Sequence, residues 1–496
     1  MRYAASQRVS NTLKYLALAG AAGYLLCYLV VALLRIRYPF ELQWMEGATV
    51  DHVARILAGK GIYVRPSLAF VPYLYTPLYL YLAAGLAKVT GIGFFPLRLI
   101  SLLASLGSLA LIFLFVSRET HSRSAGLLAA GLFAATYRLC DGWFDIARVD
   151  SLFLCLLLAG CYLLRFYPTA RAMALGGVLL ALAFLTKQIA LPIAVPVLAY
   201  CLRWRRPQGY LAAGMLVTLV AGSTLVLHLV SGGWYTFYAF SLPRQHQLEL
   251  GKFASFWLAD LLAWLPIACT AAVGYFFLQT NADARRWYAL LAVGMIGGAW
   301  SARVHSGGYS NTVLPAYAML AILFGLAAAR AAERRPAWVY LACLAQFALL
   351  IYNPLRFLPT HADLAAGQRV QALVAAMPGA VYLPFHGFLP TLAGKQSYAH
   401  AMAVYDVERG TAQPVKAALD AQIVDALTHR RFSAVILDAR PEGHPAKLVE
   451  PFWYQRELYA NYYPAHVLFP SDADGWPATG IKLRPQVLYL PKPTRR

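Results

Sequence analysis

The 496-residue chain is 60% hydrophobic and 13% charged, with a mean hydropathy of +0.54. Soluble domains carry roughly 25% charged residues, so this composition excludes a soluble protein and describes an integral membrane protein. The formal charge of +21 does not indicate nucleic acid: the basic residues are short clusters at helix ends, and no nucleic-acid-binding module interrupts the helices.

Apolar stretches close to ~20 residues, the length that spans ~30 Å of hydrocarbon, recur over the first 350 residues. The first, at 15–34, follows Arg2, Arg8 and Lys14 and lacks a small-residue cleavage site, so it reads as an uncleaved anchor. Later basic clusters, RETHSR (118–123), RFYPTAR (165–171), RWRR (203–206), ADARR (282–286) and RAAERR (330–335), are expected in the cytoplasm. Paired apolar segments lie between them, near 99–116, 125–139, 151–165, 172–186, 189–202, 210–230, 256–278, 287–301, 312–329 and 337–351. With the anchor this gives about eleven spans, an odd count that leaves the C-terminal region outside. The stretch 73–89 does not fit the alternation, since a full crossing would invert every later cluster. It is expected as a juxtamembrane helix whose tyrosines sit at the interface.

From residue 353 the apolar runs shorten to strand length, AVYLPF (380–385), SAVILD (433–438), HVLFP (466–470) and VLYLP (487–491), with helical patterns at 361–377 and 414–431 between them. Strands alternating with helices predict an extracytoplasmic α/β domain with its own core. The expected organisation is a polytopic helical domain, 1–352, with outer loops at 35–97 and 139–150, followed by the α/β domain, 353–496. The seven cysteines lie in or beside apolar segments with no CxxC spacing, so neither a disulfide framework nor a thiolate metal site is indicated.

The acids are unevenly placed. Up to Tyr352 there are eleven, and eight fall in segments expected outside: Glu41, Glu46, Asp51, Asp141, Asp145, Asp150, Glu249 and Asp260. Carboxylates near a bilayer are costly to bury and mark function by default. Two acidic loops, FELQWMEGATVD and CDGWFDIARVD, therefore point to a catalytic centre at the membrane surface. Bland alternatives accompany each: a solvated helix start for Glu46, a dipole-complementing helix start for Asp150, solvated loop acids at Asp141 and Asp145, and a snorkelling Lys187.

The first loop, WMEGATVDHVARILAGKGIY followed by YTPLYLYLAAGLAKVTGIGFFPLRLISLL, resembles that of GT-C glycosyltransferases, which use lipid-linked sugars. Protein O-mannosyltransferases and lipid A aminoarabinose transferases are among them. Glu46-Gly47, Thr76-Pro77-Leu78 and Arg98 fall on the motifs of that loop; the Asp that usually precedes the Glu is Met45 here. Ala147-Arg148-Val149-Asp150-Ser151, Thr186-Lys187-Gln188 and GGYSNTVLPAYA (307–318) extend the resemblance over roughly the first 350 residues. It implies transfer of a sugar from a polyprenyl-phosphate donor to a hydroxyl acceptor on the outer face of a bacterial inner membrane. The class of that acceptor is open, and so is a divalent cation at the acids; no residue is assigned as a metal ligand.

Such a reaction needs a carboxylate to accept the acceptor's proton and cations to stabilise the leaving phosphate. Glu46 is the expected base, with Asp150 as the second catalytic carboxylate. Arg148, Lys187, Gln188, Arg244, Arg303, His305 and Tyr309 are expected to bind substrate, with Lys187 and Arg303 the preferred phosphate pair. The alternative class is a transporter or flippase of a lipid-linked or polar substrate. It predicts paired repeat halves and helices broken at corresponding positions, and neither is visible in the sequence.

Overall fold

The computed structural model describes residues 2–411, 413–439, 452–469, 475 and 477–493, with side chains from Gln7 onward; Pro470, the end of one expected strand, lies outside the described residues. Long apolar segments form helices because buried backbone groups in hydrocarbon must be satisfied within the segment. In chain order they are α1 (Arg2–Arg35), α2 (Glu46–Leu57), α3 (Leu78–Thr90), α4 (Phe94–Thr120), α5 (Arg123–Ala135), α6 (Asp150–Phe166), α7 (Ala170–Thr186), α8 (Ala190–Trp204) and α9 (Gln208–Val230). Short turns α10 (Trp234–Thr236) and α11 (Gly251–Ser255) precede α12 (Pro266–Leu278), α13 (Ala282–Val304), α14 (Leu314–Ala332) and α15 (Pro336–Leu349).

Among the described residues four helices are long and apolar enough to cross a membrane: Gln7–Arg35, Phe94–Thr120, Gln208–Val230 and Ser310–Ala332. The number rises to six if each bent pair, one of them bent by 95° before Pro266, counts as one span. The chain is a multi-pass membrane protein. The segment at 73–89 contributes α3, a helix of 13 residues.

Polar caps start several helices: Ser122 accepts from Ala125 N–H, Thr169 from Ala172 N–H and Asn281 from Ala284 N–H. Small residues let the helices approach closely. A Cβ on Gly177 of α7 would sit 2.3 Å from the Ala212 carbonyl of α9, and one on Gly294 of α13 would sit 2.5 Å from the Ile193 carbonyl of α8. At one end of the bundle an ion network ties four helices together. Arg165 pairs with Glu119 at 2.8 Å and Asp283 at 2.7 Å, and Arg205 reaches Asp283 at 2.9 Å.

At the opposite end sits an α/β unit. Its four strands, β1 (Val381–Tyr382), β2 (Ala434–Ala439), β3 (Tyr462–Val467) and β4 (Arg484–Pro491), form a sheet of order β1-β2-β4-β3. Among the described strands only β1 and β2 are parallel. The third strand lies four residues earlier than the run at 466–470 suggests, because β4 pairs with Tyr462–Val467. The unit's helices are α16 (His361–Ala376), α17 (Leu389–Leu392), α18 (Ala401–Glu408), α19 (Gln413–Thr428) and α20 (Gln455–Asn461).

One face of the sheet packs on α16 through Val381, Ala434, Ile436 and Leu488, against Ala366, Val370 and Val374. The other face, with Tyr382, Val435 and Leu437, belongs to a core that continues into Trp44, Met45, Tyr73, Tyr79 and Leu97 of the first loop. The expectation of a self-contained C-terminal core is therefore corrected: side chains alternate across the strands, and one of the two sets is buried by the membrane domain's loop.

That interface is tight. A Cβ on Gly47 would lie 2.0 Å from the Gly387 carbonyl, and one on Gly387 would lie 2.3 Å from Ala48 N. Beside this contact His386 Nδ1 meets Glu41 at 2.6 Å and its Nε2 meets Asp438 at 2.8 Å. Burial disfavours a charged imidazole, but Asp438 and Glu41 outweigh it and push the His386 pKa up to about 10. Folding therefore stabilises the protonated ring. That contribution is fully present below the unfolded value of ~6.5 and disappears as pH rises through about 10. The difference in Tm between the parent and His386→Gln, measured in detergent from pH 6 to 10.5, should shrink steadily with pH; a constant difference contradicts a buried imidazolium.

Candidate functional site

The two acidic loops meet between the bundle and the α/β unit. Glu46 opens α2 and is fully buried against Arg98, near the start of α4, whose Nε reaches Oε1 at 3.0 Å and whose Nη2 reaches Oε2 at 2.7 Å. Glu46 also accepts from the backbone N–H of Ala147 and of Leu42, each at 2.6 Å. Arg98 also donates to the Tyr38 and Phe40 carbonyls at 2.6 and 2.7 Å. Burial pushes the Glu46 carboxyl up, but Arg98 and the two backbone donors more than reverse this and hold it below its usual range.

A carboxylate with both oxygens occupied and no solvent exposure is a poor proton acceptor. Glu46 also lines neither lobe of the cavity described next. Its expected role as the base is corrected on these grounds: it is a structural anion that fixes both loops. Arg35 does the same one layer away, holding Asp145 at 2.7 Å while donating to the Gly142 carbonyl and to Thr479. Asp145, expected as a solvated loop acid, is buried in this pair.

Between these anchors lies a two-lobed cavity. The first lobe, of about 320 Å³, is lined by Met45, Tyr75, Arg148, Lys252, Tyr309 and Arg409, among others. The second, of about 250 Å³, is lined by Lys187, Gln188, His246, His305 and Asp406. Met45, Tyr75, Asn311, Met402 and the turn 306–308 border both. Met45 thus holds the cavity-facing position while Glu46, the next residue, points into the core.

Asp150, at the start of α6, sits beneath the wall of the cavity. It accepts from Lys187 Nζ at 2.5 Å, from Asn311 Nδ2 at 2.9 Å and from Trp143 Nε1 at 2.9 Å. Lys187 ends α7 with extended backbone (φ −154°), which turns its side chain into the lobe. Arg148 donates to Tyr75 Oη at 2.7 Å and lies 5.3 Å from the centre of the Tyr73 ring. Its Nε is buried without a partner among the described residues. A buried donor left unpaired favours an incoming anion.

The remaining expected residues divide. Gln188 lines the second lobe and donates to the Leu74 and Ala239 carbonyls. His305 lines it too, with Nε2 on the Pro243 carbonyl at 2.8 Å. Tyr309 lines the first lobe and donates to Asp141. Arg303 does not line either: it pairs with Asp260 at 2.7 Å and donates to the Gly308 carbonyl at 2.7 Å, so it shapes the 306–308 turn. Its expected place in the phosphate pair is corrected accordingly. Arg244 is solvent-exposed and lines neither lobe, which removes it from the expected set. Met402, Tyr405, Asp406 and Arg409, from α18 and its end, were not foreseen; in sequence they are one amphipathic turn like many others. Among the described residues no three His, Cys, Asp or Glu are placed to share a metal ion.

Residues 72–234 match the dolichyl-phosphate-mannose-protein mannosyltransferase family, a range that includes Arg148, Asp150, Lys187 and Gln188. A solved structure of ArnT from Cupriavidus metallidurans, bound to undecaprenyl phosphate, superposes with a TM-score of 0.58. The likeness covers 95% of this chain and 97% of that one at 14% identity. The chain shares the ArnT fold. The Archaeoglobus fulgidus oligosaccharyltransferase AglB, solved with an inhibitory peptide and a dolichol-phosphate, aligns with a TM-score of 0.50 at 11% identity over 83% of this chain and 69% of that one. No curated protein is similar enough in sequence to match. The fold is the GT-C arrangement, a mostly helical membrane bundle, which the first-loop motifs suggested.

Removing one member of a buried ion pair costs about 3–5 kcal/mol, because the other charge is left uncompensated. Arg98→Ala should therefore lower the Tm in detergent severely, and Glu46→Gln should lower it less, since Gln retains two of the hydrogen bonds. The double variant Glu46→Gln/Arg98→Met should recover part of the loss. Wild-type stability in Arg98→Ala would remove the pair from its structural role.

Proposed function

We propose that this chain is a membrane glycosyltransferase, transferring a hexosyl or pentosyl group from a polyprenyl-phosphate donor to a hydroxyl on a glycan, lipid or protein. The observation that carries the reading is the cavity: Lys187, held on the buried Asp150, lines the second lobe, and Arg148, whose Nε has no partner among the described residues, lines the adjoining first lobe, in a fold shared with an undecaprenyl-phosphate-bound protein. Lys187 and Arg148 take the donor phosphate and stabilise the charge that grows on it as the sugar leaves. Asp150 orients Lys187 and Asn311 rather than reacting, since both its oxygens already accept from protein donors. A single displacement at the anomeric carbon inverts its configuration.

The lipid tail needs an apolar route, because exposing isoprenoid to water costs ~0.8 kcal/mol per CH₂. A groove of about 570 Å³ lined by Leu191, Leu216, Val217, Val220, Leu225 and Phe240 supplies one; Leu191 is one helical turn past Lys187, and Phe240 adjoins Ala239 of the second lobe. The groove lies nearer α9 than the 301–311 turn. The proposed setting is a bacterial inner membrane with about eleven spans, the bent pair at Pro266 counting as one. The loops at 35–97, 139–150, 231–255 and 301–311 and the α/β domain, 353–496, face the periplasm.

Transfer of radiolabelled sugar from undecaprenyl-phosphate-linked mannose, glucose or galactose into native membranes tests the activity, and the purified protein's Tm should rise with undecaprenyl phosphate by linkage to the folded state. Lys187→Ala should abolish most of that Tm shift. Transfer from a nucleotide sugar without lipid would sink the proposal. For topology, cysteines introduced at Lys395 and Asp425 in a cysteine-free background should label from the periplasmic side only.

A further inference from the structure

The cavity needs a proton acceptor that neither acidic loop provides. Glu46 and Asp150 have every reachable oxygen occupied by protein donors. Met45, at the cavity wall, has nothing that ionises. Glu249 lines the first lobe but is bound to Lys252 at 2.9 Å. The histidines of the second lobe each hold Nε2 on a backbone carbonyl, His305 on Pro243 and His246 on Asp406, each at 2.8 Å; His305 Nδ1 faces the Ser306 carbonyl at 3.3 Å, and burial makes the His246 ring a weaker base than usual.

Asp406 differs from all of these. It lies on α18 of the α/β unit and lines the same lobe as Lys187. Among the described residues no donor lies within hydrogen-bond distance of its carboxylate, and the nearest cation, Arg409 Nη1, is 3.7 Å away. The His246 bond fixes its backbone against the lobe. We propose that Asp406 is the general base of this site, supplied by the α/β unit to the acceptor hydroxyl.

The assignment rests on the sugar-transfer reading above. In the step it performs, the acceptor O–H gives its proton to an Asp406 oxygen while the acceptor oxygen bonds the anomeric carbon. The bond from that carbon to the phosphate oxygen breaks, and its electron pair leaves on the polyprenyl phosphate, which Lys187 and Arg148 meet. The proton then passes from Asp406 to water. Burial raises the Asp406 pKa to about 7, with Arg409 and then Arg148 acting against it. The charged and titratable groups around it are Arg409 just past the end of its helix, His246 and His305 from the bundle's loops, Lys187 across the lobe, and Arg148 in the adjoining lobe. A carboxylate tuned near neutrality accepts a proton far better than an ordinary one.

The test compares wild type, Asp406→Asn and Asp406→Glu, using undecaprenyl-phosphate-linked radiolabelled mannose, glucose and galactose with native membranes as the source of acceptor. Asp406→Asn should lose about 10²–10⁴-fold in transfer rate, while its Tm and the Tm shift on adding undecaprenyl phosphate stay at wild-type values. Asp406→Glu should recover part of the rate with an altered pH profile. The wild-type rate should climb with pH and level off above an inflection near 7, a measurement that stands even if Asp406→Asn fails to fold. Near-normal transfer by Asp406→Asn, or a flat wild-type profile from pH 5.5 to 8.5, overturns the assignment and leaves sugar transfer intact. Absence of wild-type transfer from every one of these lipid donors overturns both.

Discussion

The Glu46–Arg98 pair is the constraint on which the rest of the site depends. One guanidinium and one carboxylate, both fully buried, take their hydrogen bonds from residues 38–42, from the start of α4 and from Ala147 of the second loop. Desolvating two charges is expensive, and only this complete set of partners makes the arrangement tolerable. The gain is positional. With both loops fixed to one ion pair, Met45 and Arg148, each adjacent to a pinned residue, have their side chains directed into the cavity without support from water.

Electrostatics divides the site into layers. Buried pairs, Glu46–Arg98 and Arg35–Asp145, lie deepest and are satisfied. Above them Asp150 holds Lys187 but leaves the ammonium facing the second lobe. Nearest the α/β unit, Arg409 and Asp406 are only loosely matched. The order runs from fully matched charges to incompletely matched ones, and a cavity bounded by the latter has affinity left for a charged ligand.

The helices were legible because apolar length and basic punctuation report them directly, and α6 to α9 follow the sequence pattern closely. The sheet was legible as four runs, with one displaced because pairing to β4, rather than hydrophobicity, decides which residues of 462–470 extend. The cavity was less so. Motif reasoning places a role at 45 or 46 without distinguishing them, yet at the start of α2 these neighbours point in opposite directions, 45 to the cavity and 46 to the core. Asp145 and Arg303 misled for a related reason. Sequence shows that a charge exists, whereas its availability depends on a partner, Arg35 or Asp260, more than forty positions away. The contribution of α18 had no local signal at all, because it arises only when residues 44–48 and 385–388 come together.

The contact between Gly47 and Gly387 bears on how this protein can change over evolution. Two backbones pressed together with no side chain between them leave no soft layer to absorb a shift in either partner. The membrane portion and the α/β portion are therefore unlike two modules on a tether. A chimera joining one of them to a relative's counterpart would have to bring both glycines and the local chain path around them. The α/β unit can diversify at the cavity rim, but its seam with the bundle has to be inherited as a unit.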